Sequence, residues 1–295
     1  MAGAKRKRVV TGQTTVIPLI GHPVSQVKSP GPMNRWFDDQ GIDAVVVPLD
    51  IRPEKVEVFF EVVRAMENCA GCSITMPHKQ MAFVASDEVS ERARRAKAVN
   101  TIRRTATGRL IGDMTDGVAF VSALKGKGVD VAGRKVLLVG AGAAGTAIAF
   151  ELATEKVEAI VVLETDQLRQ RGLISELNRY HPDIVVHARM PDDFAVDIAI
   201  NASPLGMDEA DPLPYPIDSL GGARIVADAV TKPAMTPWLK AAQQNGLLIQ
   251  TGEEMAVAQL PIQLGYLRLM NQREQKDAKA LLDGRAALDP EEVHP

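Results

Sequence analysis

Lys135-Val136-Leu137-Leu138-Val139-Gly140-Ala141-Gly142-Ala143-Ala144-Gly145 is the stretch whose reading decides the fold. A short apolar run leads straight into G-x-G-x-x-G, and the pattern from Ala143 to Ala153 continues as a helix. Gly140 allows a tight turn, Gly142 lets backbone approach a pyrophosphate, and Gly145 permits close helix packing. The helix start turns unpaired N–H groups toward an anion. The stretch predicts a Rossmann-type dinucleotide site on Gly140, Gly142, Ala143, Ala144 and Gly145. Glycines serving only a tight turn are the plainer alternative.

The next strand ends at Val162-Leu163-Glu164, about 20 residues past the glycines, where an acidic side chain accepts ribose hydroxyls. Glu164 there repels an adenosine 2′-phosphate. This favours NAD, while Arg169 and Arg171 leave NADP possible. Asp166 is the alternative ribose ligand, and a solvated loop carboxylate is the plain reading of Glu164.

Outward from this unit, short apolar runs alternate with helical patterns on both sides. Before it come strands at Val16 to Gly21, Ala44 to Leu49 and Cys72 to Thr75, with helices at Gly31 to Gln40 and Pro53 to Met66. A hairpin around Thr107-Gly108 and a helix from Gly117 to Lys125 follow. After it come strands at Ala159 to Leu163, Ile184 to Val186, Ile198 to Asn201, Ile225 to Asp228 and Leu247 to Gln250. A long helical pattern runs from Gly252 through Met270, and the charged tail from Gln272 to Pro295 reads as a surface helix. Such alternation builds mostly parallel sheets covered by helices. The fold class is α/β with two domains. Residues 1–116 form the first, completed by 253–295, and residues 117–252 form the Rossmann-type second domain. The cleft between them is the expected ligand site.

Composition narrows the function. The 295 residues are 46% hydrophobic, 24% charged and 4% aromatic, which excludes disorder and collagen. Thirty-four basic and 37 acidic side chains leave a net charge of −3, with no large positive field to draw nucleic acid. The longest mainly apolar run, Val136 to Phe150, is interrupted by glycines and is too short for a membrane crossing. Polar Thr11 to Thr15 follow the basic quartet Lys5 to Arg8, where a secretory signal needs apolar residues, so a cytoplasmic location is expected. Cys69 and Cys72 have redox-pair spacing, but an extended stretch follows them and no second ligand pair exists for zinc; two free thiols are expected, and no metal. A homodimer is plausible, since composition does not distinguish a dimerising face from a solvated one.

In the first half, Ser29-Pro30 and Met76-Pro77 read as helix starts with proline at the first helical position. Ser29 either caps its helix or holds a substrate carboxylate. Lys79 falls in a first helical turn, where the dipole disfavours a cation. Asp116, at the start of a later helix, is its candidate partner; a solvated lysine and a helix cap are the plain readings.

Taken in order, seven stretches resemble the shikimate/quinate dehydrogenase family. They are Gly21-His-Pro-Val-Ser-Gln-Val-Lys-Ser-Pro30, Ser73-Ile-Thr-Met-Pro-His-Lys79, Ala98-Val-Asn-Thr101, Gly112-Asp-Met-Thr-Asp-Gly117, the glycine turn, Asn201-Ala-Ser-Pro-Leu-Gly-Met207 and Gly252-Glu-Glu-Met-Ala-Val-Ala-Gln259. The resemblance spans about Gly21 to Gln259. It implies reversible hydride transfer between a nicotinamide dinucleotide and a ring hydroxyl of a cyclohexane or cyclohexene carboxylate, with Lys79 and Asp116 as the catalytic pair. It further implies Thr75, Asn100 and Gln259 on ring hydroxyls, Ser29 on the carboxylate, and Asn201, Ser203 and Gly252 on the cofactor. It also implies that the C-terminal helices return to the substrate domain.

The departures are as specific as the matches. Val27 stands where the family has a second carboxylate-binding serine, and Thr231 where it has tyrosine, which leaves Thr231 as the substrate-side residue there. Ser73 and Met114 replace asparagines, and Gln26 stands where histidine is common. A divergent relative is expected, with altered substrate preference. The competing readings are a dehydrogenase for an aminated or otherwise modified ring acid, and a dinucleotide-binding regulator without turnover.

Overall fold

The computed structural model describes residues 9–25, 27–220 and 222–269. The chain begins β1 (Thr15–Gly21), α1 (Pro30–Gln40), β2 (Ala44–Asp50), α2 (Val56–Ala65) and β3 (Gly71–Ile74). Two short helices, α3 (Lys79–Ala85) and α4 (Glu91–Ala96), flank the two-residue β4 (Glu88–Val89). The hairpin β5 (Thr101–Arg104) and β6 (Leu110–Asp113) then leads to α5 (Asp116–Gly126). The second half runs β7 (Lys135–Val139), α6 (Ala143–Thr154), β8 (Ala159–Leu163), α7 (Gln167–Tyr180), β9 (Val185–His187) and β10 (Ile198–Asn201). It ends with β11 (Ile225–Asp228), α8 (Pro237–Gln244), β12 (Leu248–Gln250) and α9 (Gly252–Tyr266).

These elements make two six-stranded sheets, ordered β2-β1-β3-β5-β6-β4 and β12-β11-β10-β7-β8-β9. Every pairing in the second is parallel, and its central strands carry the apolar runs 136–139 of β7 and 198–200 of β10, as expected of strands covered on both faces. Where a helix packs on one face only, the apolar spacing is visible: Val56, Phe60 and Val63 of α2 are its buried residues. The first sheet is mixed, because the hairpin β5-β6 joins it antiparallel to β3.

Two helices tie the halves together. The helix α5 begins beside β6, yet Phe120, Val121 and Leu124 sit in the core beneath the second sheet. The helix α9 returns: Met255 lies in that same core, whereas Leu264 and Leu267 pack with Ile17, Met33 and Phe37 under the first sheet. Residues that open α5 and line α9 are therefore held by both cores.

Several sequence expectations are corrected. The helix expected from Pro53 begins with a 3₁₀ turn at Pro53–Lys55, and the one expected through Met270 ends at Tyr266. Met76-Pro77 does not start a helix: the first helical residue is Lys79, and Pro77 lies in the turn ahead of it. Ser29 flanks α1 but makes no side-chain capping bond. Cys69 and Cys72, by contrast, are free thiols as expected, both buried, and burial pushes their pKa values up. Among the described residues no helix is long and apolar enough to cross a membrane. The basic quartet Lys5 to Arg8, Gln26 and the tail from Gln272 lie outside the described residues.

Candidate active site

Asp116 is the hub. It is the first residue of α5, and its side chain is only 5% exposed. A buried carboxylate is costly unless its lone pairs are satisfied, and three side chains from three other segments satisfy them. Lys79 Nζ donates to Oδ2 at 2.6 Å, Asn100 Nδ2 to Oδ1 at 2.6 Å, and Gln259 Nε2 to Oδ1 at 2.8 Å.

Each donor is placed by backbone as well. Lys79 opens α3, and its carbonyl accepts the Val99 N–H at 2.9 Å, so the lysine and Asn100 are fixed to one another. Asn100 is 2% exposed; its Oδ1 accepts from the N–H and hydroxyl of Thr115 and from the hydroxyl of Thr101. That leaves one Asn100 N–H for a ligand. Thr75 is the turn residue after β3, with its N–H on the Ile20 carbonyl. Gln259 comes from α9, where Gln263, one turn further along, donates to Thr101 Oγ1 at 3.1 Å. Ser29 and Thr231 lie outside this hydrogen-bonded set. Ser73 is buried, and its hydroxyl has no hydrogen-bond partner among the described residues.

Sequence reading missed Gln263, Thr101 and Thr115, which steady the hub. The signal for Gln263 was its place four residues after Gln259 on one helix face.

The glycine turn has the geometry its spacing asks for. Gly140 sits at φ 101°, a conformation that favours glycine, and a Cβ on Gly145 would lie 2.1 Å from the Gly140 carbonyl oxygen. Above Gly142 a Cβ would meet nothing within 4 Å, so backbone there is open to a ligand. No side chain caps α6, whose first-turn N–H groups lack intrahelical acceptors. These residues fit the diphosphate of a dinucleotide.

Glu164 follows β8 and lies against the same turn. Its Oε2 accepts the Ala141 N–H at 2.8 Å, and Oε1 accepts from the Asp166 N–H and the Thr165 hydroxyl. Partial burial opposes its ionisation, but those hydrogen bonds prevail and hold its pKa below the usual range. Asp166 instead caps α7, accepting from Leu168 and Arg169.

Asn201, which the resemblance puts on the cofactor, turns its side chain inward. It is fully buried at the end of β10, and all four of its hydrogen-bonding positions are used internally. Nδ2 donates to Leu205 O and Asp228 Oδ1; Oδ1 accepts the Ser203 N–H and hydroxyl. Ser203 and Gly252 remain beside the glycine turn and at the start of α9.

Comparison with known proteins converges on one family. Residues 19–102 match the shikimate dehydrogenase substrate-binding domain. The chain is 36% identical over 254 residues to a shikimate dehydrogenase (NADP(+)) of Rubrobacter xylanophilus, covering 85% of this chain and 89% of that protein. The structure of a Listeria monocytogenes shikimate 5-dehydrogenase with shikimate and NAD superposes with a TM-score of 0.80 at 27% identity, covering 95% of this chain and 100% of that one. Quinate dehydrogenase of Corynebacterium glutamicum with NAD gives 0.77 at 27% identity, covering 90% and 98%. With a two-sheet α/β fold, a Rossmann-type half and this degree of identity along most of its length, the chain belongs to the shikimate dehydrogenase family.

Proposed function

We propose that this protein catalyses reversible oxidation of a ring hydroxyl of shikimate or quinate to the 3-dehydro ketone, with Lys79 and Asp116 as the catalytic pair. The observation that carries the reading is the convergence of Lys79, Asn100 and Gln259 on the one buried carboxylate of Asp116. A sensor without turnover has little need of an amine poised on a carboxylate.

A bound nicotinamide dinucleotide supplies the hydride acceptor. A carbinol losing hydride must also lose its hydroxyl proton, and Lys79 Nζ in its amine form takes it; in reduction the ammonium returns it. Asp116 orients that nitrogen and balances its charge. The remaining N–H of Asn100, the Thr75 hydroxyl and the free end of the Gln259 amide orient ring hydroxyls. Ser29 and Thr231 serve the substrate's carboxylate side. Residues 1–116 with 253–295 hold the ring acid, and residues 117–252 hold the dinucleotide on Gly140, Gly142, Ala143, Ala144, Gly145 and Ser203.

NAD is the preferred cofactor in this reading, because the ionised Glu164 beside the glycine turn opposes a 2′-phosphate. The curated relatives are named for NADP(+), so the preference is a property of this chain's own Glu164.

The test is absorbance-monitored reduction of NAD and NADP with quinate and shikimate, run beside Lys79→Ala. Turnover should fall by about 10³-fold or more in the variant, with substrate binding little changed. An undiminished rate removes Lys79 from the mechanism, and absence of turnover with every ring acid and both cofactors rejects the enzyme reading.

A further inference from the structure

Asp228 closes β11 opposite Asn201 in the neighbouring strand. It is fully buried and, among the described residues, has no ion-pair partner; what surrounds it is hydrogen-bond donors. Oδ1 accepts Asn201 Nδ2 at 3.0 Å and the Val230 N–H at 2.9 Å, and Oδ2 accepts the Thr236 hydroxyl at 2.8 Å. A buried carboxylate without a cation is expensive, so its retention at the carboxyl edge of the sheet calls for an account.

The account lies in what those donors hold. An amide can face either way, and Asp228 decides the matter for Asn201: an acceptor at that point requires the NH₂ end, which leaves Oδ1 to receive Ser203 N–H at 3.1 Å and Ser203 Oγ at 2.6 Å. The loop so fixed presses on the glycine turn, since a Cβ on Gly140 would lie 2.7 Å from both Ala202 C and Ser203 N. The Val230 bond fixes a second surface, because a Cβ on Gly252 would lie 2.3 Å from the Val230 carbonyl oxygen. One carboxylate thus sets the loop beside the glycine turn and the turn on which α9 begins.

We infer that Asp228 is a positioning residue for the dinucleotide, acting through Asn201 to hold the Ser203 loop against the glycine turn. The inference rests on the dinucleotide-binding reading above.

Asp228→Asn keeps an oxygen for Asn201 and Val230 and turns its amide toward the Thr236 hydroxyl, which can accept; Asp228→Ala keeps neither. Thr236→Val removes a different bond to the same carboxylate and leaves Asn201 in place. Calorimetric titration of the purified full chain with NAD and NADP, paired with KM measurements, separates the cases. Asp228→Ala should raise the dinucleotide Kd and KM about tenfold or more, the equivalent of one hydrogen bond, with the ring-acid KM changed less than about threefold. Asp228→Asn should restore most of the affinity, and Thr236→Val should lose stability without the Kd shift. A folded Asp228→Ala protein that binds within twofold of wild type overturns the inference alone, as does a Thr236→Val protein that loses affinity equally. Should Asp228→Ala fail to fold, Asn201→Asp, which sets two carboxylates together, must weaken dinucleotide binding more than ring-acid binding, and equal weakening overturns the inference. Wild-type protein that binds neither dinucleotide overturns the dinucleotide reading, and this inference with it.

Discussion

Gln259 donates to Asp116 Oδ1 at 2.8 Å across 143 positions of sequence, so the last described helix completes the environment of a carboxylate placed by the hairpin and α5. The bond uses one N–H of the amide and leaves its other N–H and its oxygen for a ring hydroxyl. Gln259→Leu removes both functions while keeping the side-chain volume. The ring-acid KM should rise about ten- to a hundredfold, and kcat should fall less than in Lys79→Ala. Steady-state kinetics at saturating dinucleotide decide it; an unaltered KM would show that Gln259 serves α9 docking alone.

The Lys79–Asp116 contact makes a sharper demand on kinetics. Asp116→Asn preserves an oxygen able to accept from Asn100 and Gln259, so the hub keeps its shape, but Lys79 loses its anionic partner. The variant should bind ring acid within a fewfold of wild type and turn over at least about a hundredfold more slowly. Lys79→Ala combined with Asp116→Asn should be little worse than Lys79→Ala alone, because groups acting as a unit are non-additive. Additive losses would mean that the two act independently.

Glu164 yields a prediction about cofactor choice. Its carboxylate accepts the Ala141 N–H of the glycine turn and is held ionised. Glu164→Gln keeps an oxygen for Ala141 and removes the charge that opposes a 2′-phosphate. The ratio of kcat/KM for NAD over NADP should fall about tenfold, mainly through a lower KM for NADP. A ratio that stays put assigns cofactor discrimination to other residues.

Much of this was legible in the sequence because local signals agreed with tertiary demands. Ala159–Leu163, Ile198–Asn201 and Ile225–Asp228 appear as strands with the expected bounds, since apolar runs buried on both faces can only be central strands between turn residues. Between Pro77 and Ala98 only one helix start was legible, placed at Pro77 where the helix opens at Lys79; β4 and α4 were not. The helices α3 and α4 are seven and six residues long, and β4 is two. Such elements are too short to show a period and exist through packing on the hairpin and α6. The hub residues were found one by one, but not their supports: Thr101, Thr115 and Gln263 act through bonds across distant segments that no spacing encodes. The resemblance put Asn201 on the cofactor, and nothing in the spacing shows that Asp228 and Ser203 occupy its amide.

The burial of Asp228 also sets a pH dependence of stability. Burial, opposed only in part by the bonds from Val230, Thr236 and Asn201, raises its pKa from 3.8 to about 6. The folded state therefore holds this proton more tightly than the unfolded state does. Stability from this group is greatest below about pH 4, falls as pH rises toward 6, and is level above that. The gap corresponds to about 3 kcal/mol at neutral pH, an upper bound because the site relaxes. Asp228→Asn carries no ionising group there, so it should lack this loss. Urea unfolding of both proteins at about pH 4.5 and 7.5 should show the variant gaining on wild type by up to about 2–3 kcal/mol at the higher pH. A difference between the two proteins that does not change with pH would mean that Asp228 titrates alike folded and unfolded, and that its donors compensate fully for burial.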